Sequence, residues 1–257
     1  MILRSLMKHV RDQNWIAVAL DFIIVVVGVF IGIQVSNWNA ARADHVREAR
    51  YLDNLAIEIR EEIVALDEMM LAHRMRITVI EKMLTDAGGA PPRRESRMSA
   101  PASAVDLTRK FPAPEFLPIT EEERDYFLNY GIFARTFNEK NSTFRTLQST
   151  GDITIFKDET LALDITDYYA NIEDLIYFED GTARHARDAT TAVARRHGFN
   201  PFGENSYDLV VTALQEDPEF AASLRGLYNV SILNHFVIAT VKREAEEILA
   251  RLPDGEE

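Results

Sequence analysis

Trp15-Ile-Ala-Val-Ala-Leu-Asp-Phe-Ile-Ile-Val-Val-Val-Gly-Val-Phe-Ile-Gly-Ile-Gln-Val-Ser-Asn-Trp38 is apolar along nearly its whole length, with a tryptophan at each end and one acid, Asp21, inside. At 1.5 Å per helical residue it spans roughly 36 Å. That covers a hydrocarbon core of about 30 Å and leaves the tryptophans at the two interfaces. A cleaved leader would carry an apolar region of only about 7–15 residues and then a small-x-small site. Here the nearest small residues, Asn39-Ala-Ala, lie beyond Trp38 and lead straight into a helical pattern. The stretch therefore reads as an uncleaved single-pass anchor over 15–38, after a short tail at 1–14.

On a helical wheel Asp21, Val25, Gly28 and Gly32 fall within about 60° of one another, with Ser36 beside them. Gly28-Val-Phe-Ile-Gly32 is a small-xxx-small pair, the spacing that lets two helix backbones approach closely. A charge in lipid is costly, so Asp21 is expected to face protein or water. The face Asp21, Val25, Gly28, Gly32 and Ser36 thus predicts a contact with a second copy or with another membrane protein. The plainer reading is that glycine is common in membrane helices and that Asp21 reaches the headgroups.

Arg4, Lys8 and Arg11 precede the segment, and Arg42, Arg47 and Arg50 follow it. The positive-inside count is tied. A short basic tail ahead of a first apolar segment usually stays in the cytoplasm, which puts the C-terminal part in a bacterial periplasm, anchored in the inner membrane. Only the short tail precedes Trp15, so no cytoplasmic output domain is expected and a signalling role needs a partner. The chain has no cysteine, which excludes disulfides, zinc–thiolate sites and cysteine nucleophiles. Its formal net charge of −13 disfavours nucleic acid as a partner.

After Trp38, residues 39–87 read as one long helix. Leu52, Leu55, Ile59, Ile63, Leu66, Met70, Ile77, Ile80 and Leu84 recur at three- and four-residue steps, with one turn skipped at His73. If continuous with the anchor, the helix makes a rod of roughly 110 Å that could transmit a shift to the membrane. Residues 88–118 hold Gly88-Gly89 and most of the prolines and predict a loop or partly disordered segment. Residues 119–257 supply the remaining helices. Thr120-Glu-Glu-Glu123 reads as a capping box. A helix with Tyr126, Phe127, Tyr130, Phe133 and Phe137 follows, then a short one at 140–150 ending at Gly151. A long pattern from Lys157 to Arg196 has a bend at Gly181. Phe199-Asn-Pro-Phe-Gly203 is a turn, Ser206–Gln215 a short helix, and Asp217-Pro218 opens a last helix to about Arg251. Asp152-Ile-Thr-Ile-Phe156 is the one candidate strand. The expected fold is all-α: a transmembrane helix continuing into an antiparallel bundle of long helices.

Two blocks resemble a bacterial family of N-terminally membrane-anchored helical proteins of unknown function. One is Asp21 with Gln34-Val-Ser-Asn-Trp-Asn39. The other is Ser142-Thr-Phe-Arg-Thr-Leu-Gln-Ser-Thr-Gly-Asp152, followed by Ile155-Phe-Lys-Asp-Glu-Thr-Leu161 and Tyr168-Tyr169. They cover about a third of the chain. The resemblance implies an anchor and a helical domain, and no activity.

A search for chemistry finds little. No glutamate lies three residues before any of His9, His45, His73, His185, His197 and His235, so the Glu-x-x-His ligand pair of di-iron bundles is missing. Walker, dinucleotide and Gly-x-Ser-x-Gly patterns are absent, and no cofactor or metal is expected. Glu58, Glu61 and Glu62 have carboxylate-ligand spacing, but Glu58-Ile-Arg-Glu-Glu62 reads as a solvated, charge-laced face. His235 reads as a hydrogen-bonded core histidine rather than a catalytic one. Tyr126, Tyr130, Tyr168, Tyr169 and His235 form a weak candidate ligand pocket, with ordinary core packing as the plainer account. The sequence thus predicts a non-enzymatic interaction, sensory or accessory-subunit protein. The alternative is an enzyme or small-ligand-binding protein with a site between helices. A lipid-contacting loop using Arg93, Arg94 and Arg97 is the weakest reading, because the chain around it is acidic.

Overall fold

The computed structural model describes the backbone of residues 15–99, 108–133, 140–200 and 203–253, and the side chains of 19–95, 111–129, 140–200 and 203–253. The expected tail at 1–14, the aromatic positions Tyr130, Phe133 and Phe137, Arg97 and most of the Pro201-Phe202 turn fall outside the described side chains. The chain divides into two compact units, residues 1–51 and 52–257. Helix α1, Trp15–Asp86, runs through the boundary. It contains an 18-residue window of mean hydropathy 2.3, none of it buried, so one helix near the N-terminus is long and apolar enough to cross a membrane. Phe22, Ile24, Val25, Phe30 and Ile31 all stand exposed in the first unit.

In the second unit α1 turns its apolar stripe inward. Leu55, Ile59, Leu66, Ile77 and Ile80 are fully buried, each contributing about 1.5–3 kcal/mol by leaving water. The turn without an apolar residue is filled by His73, which is buried as deeply as its neighbours. Gly88 ends the helix region in the left-handed conformation, at φ 79°.

The rest is almost entirely helical: α2 Arg124–Phe133, α3 Ser142–Thr150, α4 Glu159–Phe178, α5 Arg184–Arg196, α6 Tyr207–Glu216 and α7 Pro218–Leu249. The capping signals sit where the sequence places them. The Glu123 carboxylate accepts the Thr120 backbone N–H. Asp217 accepts from the N–H groups of Glu219 and Phe220 ahead of Pro218. Gly151 closes α3 at φ 74°. One core cluster joins Ile77, Ile80, Met83 and Leu84 of α1 to Phe127 and Leu128 of α2, Val193 of α5, Val210 and Leu214 of α6, and Leu224, Tyr228 and Ile232 of α7.

Two expectations fail. The segment read as a loop holds an antiparallel hairpin, β1 Glu95–Ser99 and β2 Thr108–Pro112, paired from Glu95↔Pro112 to Ser99↔Thr108. A lone hairpin is marginal in water. This one packs on α7, and Phe111 at its edge is buried edge-on against Phe236, with ring centroids 4.8 Å apart. The candidate strand at 152–156 is instead a 3-10 turn, Asp152–Ile155. Between α4 and α5 the backbone widens into a π-helical turn, Glu179–Ala183, around the glycine read as a bend.

Candidate functional site

Two buried polar constellations gather the chemistry-bearing side chains of the second unit, and both begin on α1. The first lies against the N-terminus of α3. Glu58 and Glu62, one turn apart, point inward and are buried, while Glu61 is exposed. The Tyr169 hydroxyl donates to Glu58 Oε1 at 2.6 Å, and the Tyr168 hydroxyl donates to Glu62 Oε2 at 2.6 Å. Glu58 Oε2 also accepts the Thr143 N–H at 2.7 Å and the Ser142 hydroxyl at 3.1 Å. Glu62 Oε1 accepts the Lys140 N–H at 3.1 Å. Asn141, at the α3 N-cap, gives no side-chain cap of its own. The cap is supplied from another helix, and a carboxylate suits the positive end of the α3 dipole.

Tyr169 stacks flat on Phe144 at 4.2 Å, and the two tyrosine rings meet edge-to-face at 5.0 Å. Burial, then the neighbouring Glu62 charge, pushes both tyrosine hydroxyls up from their ordinary value. Both therefore stay protonated and donate at neutral pH. The arrangement pins α1, α3 and α4 together. Tyr168→Phe and Tyr169→Phe are each expected to cost about 1.5–3 kcal/mol, because each deletes a hydrogen bond to a buried carboxylate. Thermal melting of the two variants measures this. A loss below about 0.5 kcal/mol in both would show that the carboxylates do not depend on the tyrosines.

The second constellation lies at the π-helical turn. His73, Arg76, Glu179 and Asn234 are all buried. His73 Nε2 stands 3.3 Å from Glu179 Oε1, and Arg187 donates to Glu179 Oε2 at 2.9 Å. Asn234 Nδ2 donates to Glu179 Oε1 as well. Arg76 lies 3.3 Å from His73 Nδ1. A guanidinium can only donate, so His73 Nδ1 accepts and the ring proton sits on Nε2, directed at Glu179. Burial first, and the Arg76 charge as well, lower the His73 pKa to about 4, so the ring is neutral at pH 7. Burial pushes the Glu179 carboxyl up, but the His73 hydrogen bond and the Arg187 charge outweigh it and hold it below the usual carboxylate range. Arg76 is lowered to about 10, chiefly by burial, and stays cationic. The cluster is an internal tie between α1, the π turn, α5 and α7. A π turn is rare and often marks a functional position; here it carries the anion at the centre of the cluster.

Of the five pocket candidates Tyr130 lies outside the described side chains, and the other four do not converge. Tyr126 is exposed on α2, and His235 is half-buried on α7, with its buried Nδ1 lacking a partner among the described residues. Of the five, Tyr168 and Tyr169 meet. On the apolar segment Asp21, Val25, Gly28, Gly32 and Ser36 are all exposed, and a Cβ built on Gly28 or Gly32 meets nothing within 4 Å. Among the described residues no group of three or more histidine or carboxylate side chains is placed to hold a metal ion.

The reading of Glu58-Ile-Arg-Glu-Glu62 as a solvated face is wrong for Glu58 and Glu62 and right for Glu61. The signal was phase rather than spacing: on a wheel Glu62 lies about 20° from Leu55 and about 40° from Leu66, inside the apolar stripe. Glu179, Arg187 and Asn234 carry no local signal that marks them.

Compared with known families, curated proteins and solved structures, the chain matches none.

Proposed function

We propose that this chain is a single-pass membrane-anchored interaction protein, an accessory or sensory subunit without catalysis of its own. Its anchor lies in a bacterial inner membrane and the residues that follow are periplasmic. One observation carries the reading. The large apolar side chains between Leu20 and Val35 remain 47–69% exposed in a helix whose later half is buried. So long an apolar surface is not left to water; lipid and a partner helix are its natural surroundings. The face of Asp21, Val25, Gly28, Gly32 and Ser36 supplies the contact, since its glycines leave room for a second backbone. The resemblance to anchored helical proteins points the same way.

Mild-detergent purification from native membranes, with mass spectrometry of what remains bound, tests the reading. A stoichiometric membrane protein or a second copy is expected with the native chain, and its loss with Gly28→Ile/Gly32→Ile. Retention by that variant would end the helix-contact idea, and a lone monomer in both would end the interaction reading. Orientation is read separately in intact cells, where a single introduced cysteine is unique because the chain has none. Gln148→Cys on exposed α3 should react with an impermeant maleimide before the inner membrane is broken. Labelling only after lysis would place the domain in the cytoplasm.

A further inference from the structure

A groove along α4 and α7 changes chemistry from one end to the other. At one end is an apolar cleft of about 410 Å³, with Phe111 and Val241 as its buried floor and Phe178, Leu233, Phe236 and Val237 half-buried around them. At the other is a cleft of about 460 Å³ with four carboxylates, Asp164, Asp167, Glu244 and Glu247. The two clefts share Asn171 and Glu244, which are joined by a 2.8 Å hydrogen bond from Asn171 Nδ2 to Glu244 Oε2. Asp174 extends the acidic rim toward the apolar end. The cation in the acidic cleft, Arg251, is already bound by Asp158 and Asp164.

Neither half alone says what it holds. Acids on a helix are ordinarily just solvated, and an apolar hollow takes many things. In series they specify an occupant with apolar groups at one end and positive charge at the other. Asp164 to Phe178 covers roughly 21 Å of helix. That is longer than a drug-sized molecule needs, and matches about six or seven extended residues at roughly 3.3 Å each. We propose that the α4–α7 groove binds a peptide segment of a partner protein, with two or three apolar side chains against Phe111, Phe178 and Phe236 and with lysine or arginine against Asp167, Asp174 and Glu244. This deepens the interaction reading and rests on it only in expecting a protein partner. Charge complementarity also argues against a second copy, since the chain is strongly acidic.

The test uses the full chain in phosphatidylcholine nanodiscs, with empty discs subtracted. The probes are three fluorescent nine-residue peptides: three leucines followed by three lysines within a serine–glycine frame, the same peptide with glutamate for lysine, and the same with serine for leucine. Fluorescence anisotropy should show the leucine–lysine peptide binding at least tenfold more tightly than either control. Asp167→Lys/Asp174→Lys, at two exposed positions, should weaken it at least tenfold, and Val237→Asp comparably, with melting temperatures close to native. Equal binding of the lysine and glutamate peptides overturns the proposal. So does equal binding of the leucine and serine peptides, which would mean diffuse ionic attraction. Binding unchanged in Asp167→Lys/Asp174→Lys overturns it too, as does peptide failure with self-association that this variant abolishes, which would make a second copy the occupant. Loss of peptide binding with membrane co-purification intact would remove the groove while leaving the anchored interaction protein standing.

Discussion

Glu179→Gln is expected to destabilise the second unit by about 3–5 kcal/mol, the usual cost of removing one partner from a buried ion pair. The substitution keeps size and shape, so packing changes little. What it removes is the negative charge that faces the His73 N–H, the Arg187 guanidinium and the Asn234 amide. Arg187 is largely buried and keeps its desolvation cost without the anion that offset it. For a domain of this size roughly 2–4 °C of melting temperature corresponds to each kcal/mol, so the drop should be obvious in a single scan. Adding Arg187→Met should recover part of the loss, because the orphaned cation goes too; a double-mutant cycle then isolates the pair. A loss below about 1 kcal/mol in Glu179→Gln would mean that the cluster does not hold α1, α5 and α7 together.

Acid should weaken the fold well before ordinary carboxylates titrate. His73 has a folded pKa of about 4 against its ordinary value of 6.5. Because the folded value is the lower one, the unfolded chain binds more protons as pH falls. The stability that depends on neutral His73 is fully present above pH 6.5 and is lost on going down toward pH 4. At pH 5 the loss from this group alone is roughly 2 kcal/mol. Burial also lowers the pKa of His235, which adds in the same direction. Glu179 adds to the loss as pH falls from its ordinary value of 4.5 toward about 2, since its folded pKa is depressed as well. Urea midpoints at pH 7.5 and pH 5 measure the effect, and His73→Gln should shrink the difference between them, leaving the His235 contribution. Equal midpoints in the native chain would contradict a neutral, buried His73.

The sequence made the helices legible because their signals are local. Gly151 and Asp217-Pro218 cap helices by their own backbone and side-chain geometry, and the stripe from Leu55 to Leu84 repeats within one segment. The hairpin was illegible because its buried Phe111 finds its ring partner, Phe236, on a helix far along the chain. The polar clusters failed for the same reason. Glu62 and Glu58, in a run with Arg60 and Glu61, look solvated until Tyr168 and Tyr169, 106 and 111 residues later, are seen to donate to them. His73 was visible as a missing turn in a stripe. What fills that turn, Glu179 and Asn234, is a fact of packing and not of pattern.

The reach of those bonds has a consequence for how the protein is made. Tyr228 meets Glu81 across 147 residues of chain, and Tyr207 meets Asp86 across 121. At about 5–20 residues per second, the early helix waits many seconds on the ribosome before its last partners exist. Throughout that interval its inward-facing histidine, arginine and glutamates have water or a chaperone for company, with the apolar segment ahead of them already synthesised. The birth of this protein is therefore governed by its final helix, and the nascent chain passes its most vulnerable moments with the work of folding still to come.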